Sequence, residues 1–194
     1  MKYKLTKNKK TIGEITLYQI EALKDFSDIK KGDLGGWIEK ESNLSQQGDC
    51  WVSCRARVYD NAIVSDNAWV FGNARVFGNA RVFGNARVFG NVRVFDNSQV
   101  YGDARVYGRA MVFGNARVFG NAWVYGDARV SGCAEISGRV YGDAMVYGDA
   151  MRRGFGKFAP LVFSAKSAFD NFVRPAAEMS RKEHKAKPNQ FLQK

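Results

Sequence analysis

Between residues 50 and 150 the sequence contains no lysine and no histidine, and the chain's single histidine is His184. A side chain that activates an acceptor hydroxyl or amine is most often a histidine, so its absence from the middle of the chain counts against acyl transfer there. His184 sits among Arg181, Lys182, Glu183 and Lys185, a solvated setting rather than that of a general base. The three cysteines, Cys50, Cys54 and Cys133, are too few for a disulfide framework. Metal binding at Cys50 and Cys54 would need further His or Cys ligands, and none lies near them in sequence. They read as free thiols of a reducing compartment, and the chain as a cytoplasmic protein with no cofactor and no catalytic residue. No apolar run reaches membrane-spanning length, and the lysine-rich start lacks the apolar core of a signal peptide, so no membrane partner is expected.

What charge there is lies unevenly. Of the formal +11, residues 1–49 contribute +1, residues 50–150 contribute +3 and residues 151–194 contribute +7. The basic signal is mainly a property of the tail.

What the middle of the chain does contain is a period. A valine or isoleucine recurs every six residues from Val52 to Ile136, fifteen times without a miss, mostly within Ala-Arg-Val-Phe-Gly-Asn units such as Ala74–Asn79. Strict repetition of this kind marks a solenoid. Within a hexad, Ala and Val alternate with Arg and Phe, the small and aliphatic residues inward and the polar and aromatic ones outward, as in a four-residue strand. Gly-Asn or Gly-Asp then tolerates the backbone angles of a corner. Three strands and three corners make an 18-residue triangular coil, and five coils stack to about 24 Å. The predicted fold is an all-β solenoid, a left-handed parallel β-helix of hexapeptide repeats, with an N-terminal hairpin cap and a helical, basic C-terminal tail.

The 18-residue period has an independent check. Trp51, Trp69 and Trp123 are separated by 18 and 54 residues and so fall in one outward column, with Arg87 and Arg105 on the rungs between. A second column holds Arg57, Arg75, Arg93, Met111 and Arg129; a third holds Ile63, Arg81, Gln99, Arg117 and Glu135. Aromatic ladders run beside them, among them Tyr59, Phe77, Phe95 and Phe113. The period fails twice, by two extra residues around Gln46-Gln47-Gly48 and two missing around Gly138-Arg139. No hexad between carries an insertion long enough for a catalytic loop, so function should lie on the faces or at the ends.

The predicted organisation is a capping segment at 1–37, a β-helix at 38–151 and a helical region at 152–194. Lys2–Thr6 and Ile12–Ile20 read as hairpin arms across Lys7–Lys10, with Gly32 and Gly35-Gly36 as breakers. Such a unit would cover strand edges that otherwise invite pairing. Downstream, Pro160 suits a first helical turn, and Val162, Ala165, Phe169 and Phe172 follow helical spacing up to Arg174-Pro175.

Three functions fit this pattern. Rows of outward aromatics suggest a protein interface, to a partner or to further copies as a trimer or dimer. Arginine beside aromatics, together with the basic tail, suggests nucleic acid. Left-handed β-helices also include acyltransferases, against which the missing histidine and loops weigh. The binding candidates are Trp51, Trp69, Trp123, Arg75, Phe77, Arg93, Phe95 and Phe113 on the coils. In the tail they are Arg152, Arg153, Phe169, Phe172, Arg174, Arg181 and Lys182.

The entry segments Tyr18–Phe26, Gly32–Glu39 and Asn43-Leu44-Ser45, followed by the Ala-Arg-Val-Phe/Tyr-Gly-Asn/Asp hexads, resemble a group of bacteriophage and prophage hexapeptide-repeat proteins. The resemblance covers about residues 12–150, while the hexads alone are also similar to acetyltransferases and bacterial polymer-forming proteins. It implies a phage origin and a fold rather than a chemistry. Small phage accessory proteins bind host proteins, antiviral defence components included, so the resemblance implies a non-enzymatic scaffold with a host-protein partner. The basic tail departs from that pattern and suggests a specialised role there.

Overall fold

The computed structural model describes residues 1–149, together with the strand pairings of 151–152 and 162–163. The protein is a parallel β-solenoid with three sheets, one of ten strands and two of six. Each hexad contributes a two-residue strand, such as Arg75–Val76, that pairs in parallel with the strand 18 residues on, Arg93–Val94. Strand geometry is thus shorter than the predicted four residues, but the ladder continues past it. Phe77 N–H donates to Val94 O at 3.0 Å, and at the corner Asn73 N–H donates to Gly90 O at 2.8 Å. About every second amide therefore donates to a carbonyl one coil away, which an interior filled mostly with alanine and valine side chains could not supply.

The inward half of the repeat is uniform. Ala56, Val58, Ala62 and Val64, and their equivalents up to Ile136, are fully buried. Corners turn through a left-handed residue, usually glycine, and an added Cβ at Gly72 would meet Gly90 N at 2.9 Å. Asp60, Asp66 and Asp96 hold the same left-handed position with φ of 57–58°. Each carboxylate accepts a hydrogen bond from the glycine N–H one coil on, at 2.9–3.0 Å, which offsets the cost of that backbone conformation. These three corner acids are thus structural.

Three faces result. The arginine face stacks Arg57, Arg75, Arg93, Met111, Arg129 and Met145. The tryptophan face stacks Trp51, Trp69, Arg87, Arg105, Trp123 and Arg139. The mixed face stacks Ile63, Arg81, Gln99, Arg117, Glu135 and Met151. Both breaks in the period are absorbed in register. Val58 pairs with Ile38, 20 residues back, and Val140 pairs with Val124, only 16 back. A change of two residues leaves the inward–outward alternation intact, whereas a change of one would turn the core face outward.

The N-terminal unit differs from expectation in two ways. Strands β1 (Tyr3–Ile12) and β2 (Ile15–Ala22) do form a hairpin, but its turn is at Gly13-Glu14, where Gly13 has φ of 59°. The predicted turn at Lys7–Lys10 is instead the site of a register shift between Leu5 and Lys9. Glycine at the first turn position accepts the positive φ that a tight two-residue hairpin demands. Gly35 and Gly36 are not breakers but part of β3 (Leu34–Ile38). An added Cβ on Gly35 would lie 2.6 Å from the Trp51 ring, and one on Gly36 would lie 2.8 Å from Ala56 O. Close packing, not a turn, requires these glycines. β3 pairs antiparallel with β2 and in parallel with Arg57–Val58, so the hairpin continues the arginine-face sheet.

At the far end, Val162–Phe163 pairs in parallel with Met145–Val146, where helical spacing predicts a helix. The open edge of the last coil offers unpaired backbone groups, and a strand satisfies them as a helix cannot. The rest of the expected helical tail lies outside the described residues.

Candidate functional site

The first break in the period serves as the seam between cap and coils. Lys2 is almost fully buried, and its Nζ donates to Gly48 O at 3.1 Å and Cys50 O at 2.9 Å, with Gln47 O at 3.3 Å and Cys50 Sγ at 3.2 Å. The inserted residues turn carbonyls inward, and the ammonium group satisfies them. Gln46 Oε1 accepts from Lys2 N–H at 2.7 Å, and its amide donates to Tyr3 O at 3.2 Å. Burial pushes the Cys50 thiol upward despite Lys2, and burial with Glu41 pushes the Tyr3 phenol upward. Tyr3 keeps its proton and donates to Leu44 O at 2.7 Å. Nothing here is poised for chemistry; the cluster is a lock.

The aromatic ladders are neither fully exposed nor covered by arginine. Tyr59, Phe77, Phe95 and Phe113 stack face to face at 5.0–5.1 Å, with interplanar angles of 1–3°. The rows Phe71–Phe89–Tyr107–Tyr125 and Phe83–Tyr101–Phe119 stack likewise. Each ring is half-buried, with its faces against its neighbours and its edge outward. Parallel rings at this spacing each add about 0.5–1.5 kcal/mol. Phe77, Phe95 and Phe113 therefore serve first as splints between coils.

The tryptophan column divides. Trp51 is a correction to the expected surface set: it is only 1% exposed, packed edge-on against Phe26 at 5.3 Å and Tyr3 at 6.4 Å under the cap. The indole belongs to the core, because the hairpin and β3 close over the first coil. Trp69 is half-buried and open on one side, where a cavity of about 310 Å³ lies between the cap and the tryptophan face. Its walls include Trp69, Phe71, Arg87, Cys54 and, from the cap, Ser27 and Asp28. Trp123, also half-buried, is flanked by the guanidinium groups of Arg105 and Arg139 at 5.1 and 5.0 Å.

On the arginine face, Arg75 and Arg93 line a hollow of about 250 Å³ with Arg55, Arg57, Asn73 and Asn91. A second hollow of about 330 Å³ shares Asn91 and Arg93 and adds Arg109, Met111, Asp127 and Arg129. Phe71, Arg87, Arg55 and Arg109 were not among the expected site residues. Arg55 and Arg109 stand at corner positions where Asn is usual, a deviation readable from the repeat alone.

Of the tail candidates, Arg152 lies opposite Ile136 in register, at the position valine holds in lower coils. Its side chain lies outside the described residues, as do Arg153, Phe169, Phe172, Arg174, Arg181 and Lys182. Cys50, Cys54 and Cys133 are free, and no cluster able to hold a metal ion occurs among the described residues. No helix there is long and apolar enough to cross a membrane.

Fold and faces together define a parallel β-solenoid protein with grooved, loop-free sides. The YdcK β-solenoid repeat family matches at residues 56–72, 74–94, 86–102, 98–112, 104–117, 110–126 and 139–154. The chain is also similar to an Escherichia coli K12 protein named an uncharacterised acetyltransferase, YdcK. It is 47% identical to that protein over 38 residues, which span 20% of this chain and 12% of YdcK.

Proposed function

We infer that the protein is a non-enzymatic binding scaffold whose coils wind left-handedly, and that it holds a protein partner in the groove beside Trp69. The groove carries this reading: it combines an indole, a phenyl edge and a guanidinium, the side chains that dominate protein interfaces. Its wall is made by two separate units, cap and coil, so its shape depends on their docking. Residues 50–149 contain no histidine and no loop to enclose a reaction centre, which supports binding over catalysis. The resemblance to phage and prophage repeat proteins makes that partner a host protein encountered in the bacterial cytoplasm, with the basic tail adding contacts.

Pull-down from host lysate by the full chain tests this. Trp69→Ala is expected to abolish stoichiometric capture that Trp123→Ala retains. Equal capture by both overturns the groove assignment. Light scattering that shows a trimer or dimer, dissociated by Trp69→Ala, assigns the groove to self-association instead.

The name of the E. coli relative favours a second reading, acyl transfer. Consumption of acetyl-CoA by the purified protein above its spontaneous hydrolysis, or acetyl-CoA binding by calorimetry, would replace the scaffold reading.

A further inference from the structure

The three faces carry their positive charge differently. On the mixed face, Arg81 and Arg117 alternate with Ile63 and Gln99, and Arg117 contacts Glu135 at 3.4 Å. On the tryptophan face, Arg105 and Arg139 lie against the Trp123 ring. Only the arginine face sets arginines on three consecutive rungs, Arg57, Arg75 and Arg93, and none of them has an ion pair among the described residues. Rungs are about 4.8 Å apart, so three like charges fall within about one Debye length at ordinary ionic strength. Such a row opposes folding rather than aiding it.

Its surroundings sharpen the effect. The lower hollow is lined solely by arginine and asparagine, and it runs into the upper one through Asn91 and Arg93. Arg55 and Arg109 bracket Asn73 and Asn91 along the corner, and the one carboxylate lining either hollow is Asp127, at the upper end. Below, Lys10 lies 3.9 Å over Trp37, the residue paired with Arg57. Partial burial, with a smaller contribution from the Arg57 charge, lowers the Lys10 ammonium to about 8.

We propose that this groove binds the phosphodiester backbone of a nucleic acid without reading its sequence. Guanidinium forks take phosphate oxygens two at a time. A nucleic-acid strand offers an unbroken run of phosphates, each able to accept such bonds without an apolar pocket, which matches a hollow lined solely by arginine and asparagine. Bases find no platform, because the rings of Phe77 and Phe95 beside the groove already have both faces covered by neighbours. This site lies on a different face from the Trp69 groove and goes beyond the scaffold reading, so either can fail alone.

Fluorescence anisotropy of a short labelled duplex, and of its single strand, on the full-length chain tests the proposal. Arg57→Gln/Arg75→Gln/Arg93→Gln is compared with an equal charge loss on the other faces, Arg81→Gln/Arg105→Gln/Arg117→Gln. The arginine-face triple is expected to weaken binding at least ~10-fold and to reduce the slope of log Kd against log salt by about 2–3. The control triple is expected to change Kd less than about threefold, because it leaves every groove contact in place. Arg93→Glu, a single change at an exposed position, keeps the test readable if the triple does not fold; an unchanged Kd there overturns the proposal. So do equal losses in the two triples, no binding by the unmodified chain, or competition by polyglutamate as strong as by nucleic acid of equal charge. Trp69→Ala is expected to leave nucleic-acid binding unchanged while it removes protein capture.

Discussion

Residues 1–49 and residues 50–149 are stabilised by opposite strategies. The coils repeat one solution: fully buried alanine and valine inside, a hydrogen bond to the next coil at about every second amide, and stacked rings outside. The cap relies on single, unrepeated side chains: Lys2 among the carbonyls of the insertion, Tyr3 on Leu44, and Asn43 on Asp60 O and Ala62 O. Distributed bonding tolerates local loss because each coil contacts only its neighbours. Concentrated bonding does not, since losing one buried donor orphans several acceptors at once. The cap should therefore be the fragile end.

Four changes break or sharpen that contrast. Lys2→Met leaves three carbonyls without their donor and is expected to cost about 2–4 kcal/mol. Chemical denaturation measures it, and acrylamide quenching should reveal a newly accessible Trp51. Quenching unchanged from the unmodified protein would show that the cap does not depend on Lys2. Val94→Ala, in mid-solenoid, is expected to cost about 2 kcal/mol from two lost carbon groups and a small cavity. If it costs more than Lys2→Met, the cap is not the weaker end.

The corners supply the third change. Gly72→Ala places a Cβ 2.9 Å from Gly90 N at φ of 71° and is expected to cost about 1–2 kcal/mol. Gly72→Asp should recover roughly half of that by accepting from Gly90 N–H, as Asp60 does from Gly78 N–H. Equal Tm values for the two variants would deny the aspartate corners that role. The smallest effect concerns Lys10. Its folded value of about 8 lies below the ordinary 10.5, so between those limits the unfolded chain holds a proton that the folded chain does not. Stability should therefore rise with pH across that window. With most of the side chain solvated, the gain should stay under about 0.5 kcal/mol. Lys10→Gln should flatten a plot of Tm against pH there.

Much of the coil architecture was legible because a six-residue period leaves few alternatives. The columns assigned from spacing reappear as paired rungs: Arg57 beside Arg75, Trp51 beside Trp69, Gln99 beside Arg117. Both period breaks fell where the coils change length. The cap was less legible. The polar run Lys7–Lys10 looks like a turn, since lysine and asparagine are common loop residues, whereas the single Gly13 makes it. Gly35 and Gly36 looked like breakers because a glycine needed for close packing and one needed for a turn are identical in sequence. Arg55 and Arg109 were visible as departures from the corner asparagine, yet their meaning needed the neighbouring columns in place.

The sequence by itself determined the coil: its length, its three faces, and which residue stands on which rung, because periodic side-chain alternation admits one register. Tertiary structure alone decided which outward residues reach solvent. Trp51 and Trp69 share a column, a neighbouring residue type and a preceding small residue, yet one is core and the other lines a groove. The difference is made by Tyr3, Phe26 and Gly35, which fold back over the first coil from 16 to 48 positions away. Burial is a property of what packs on top, and no local pattern encodes it.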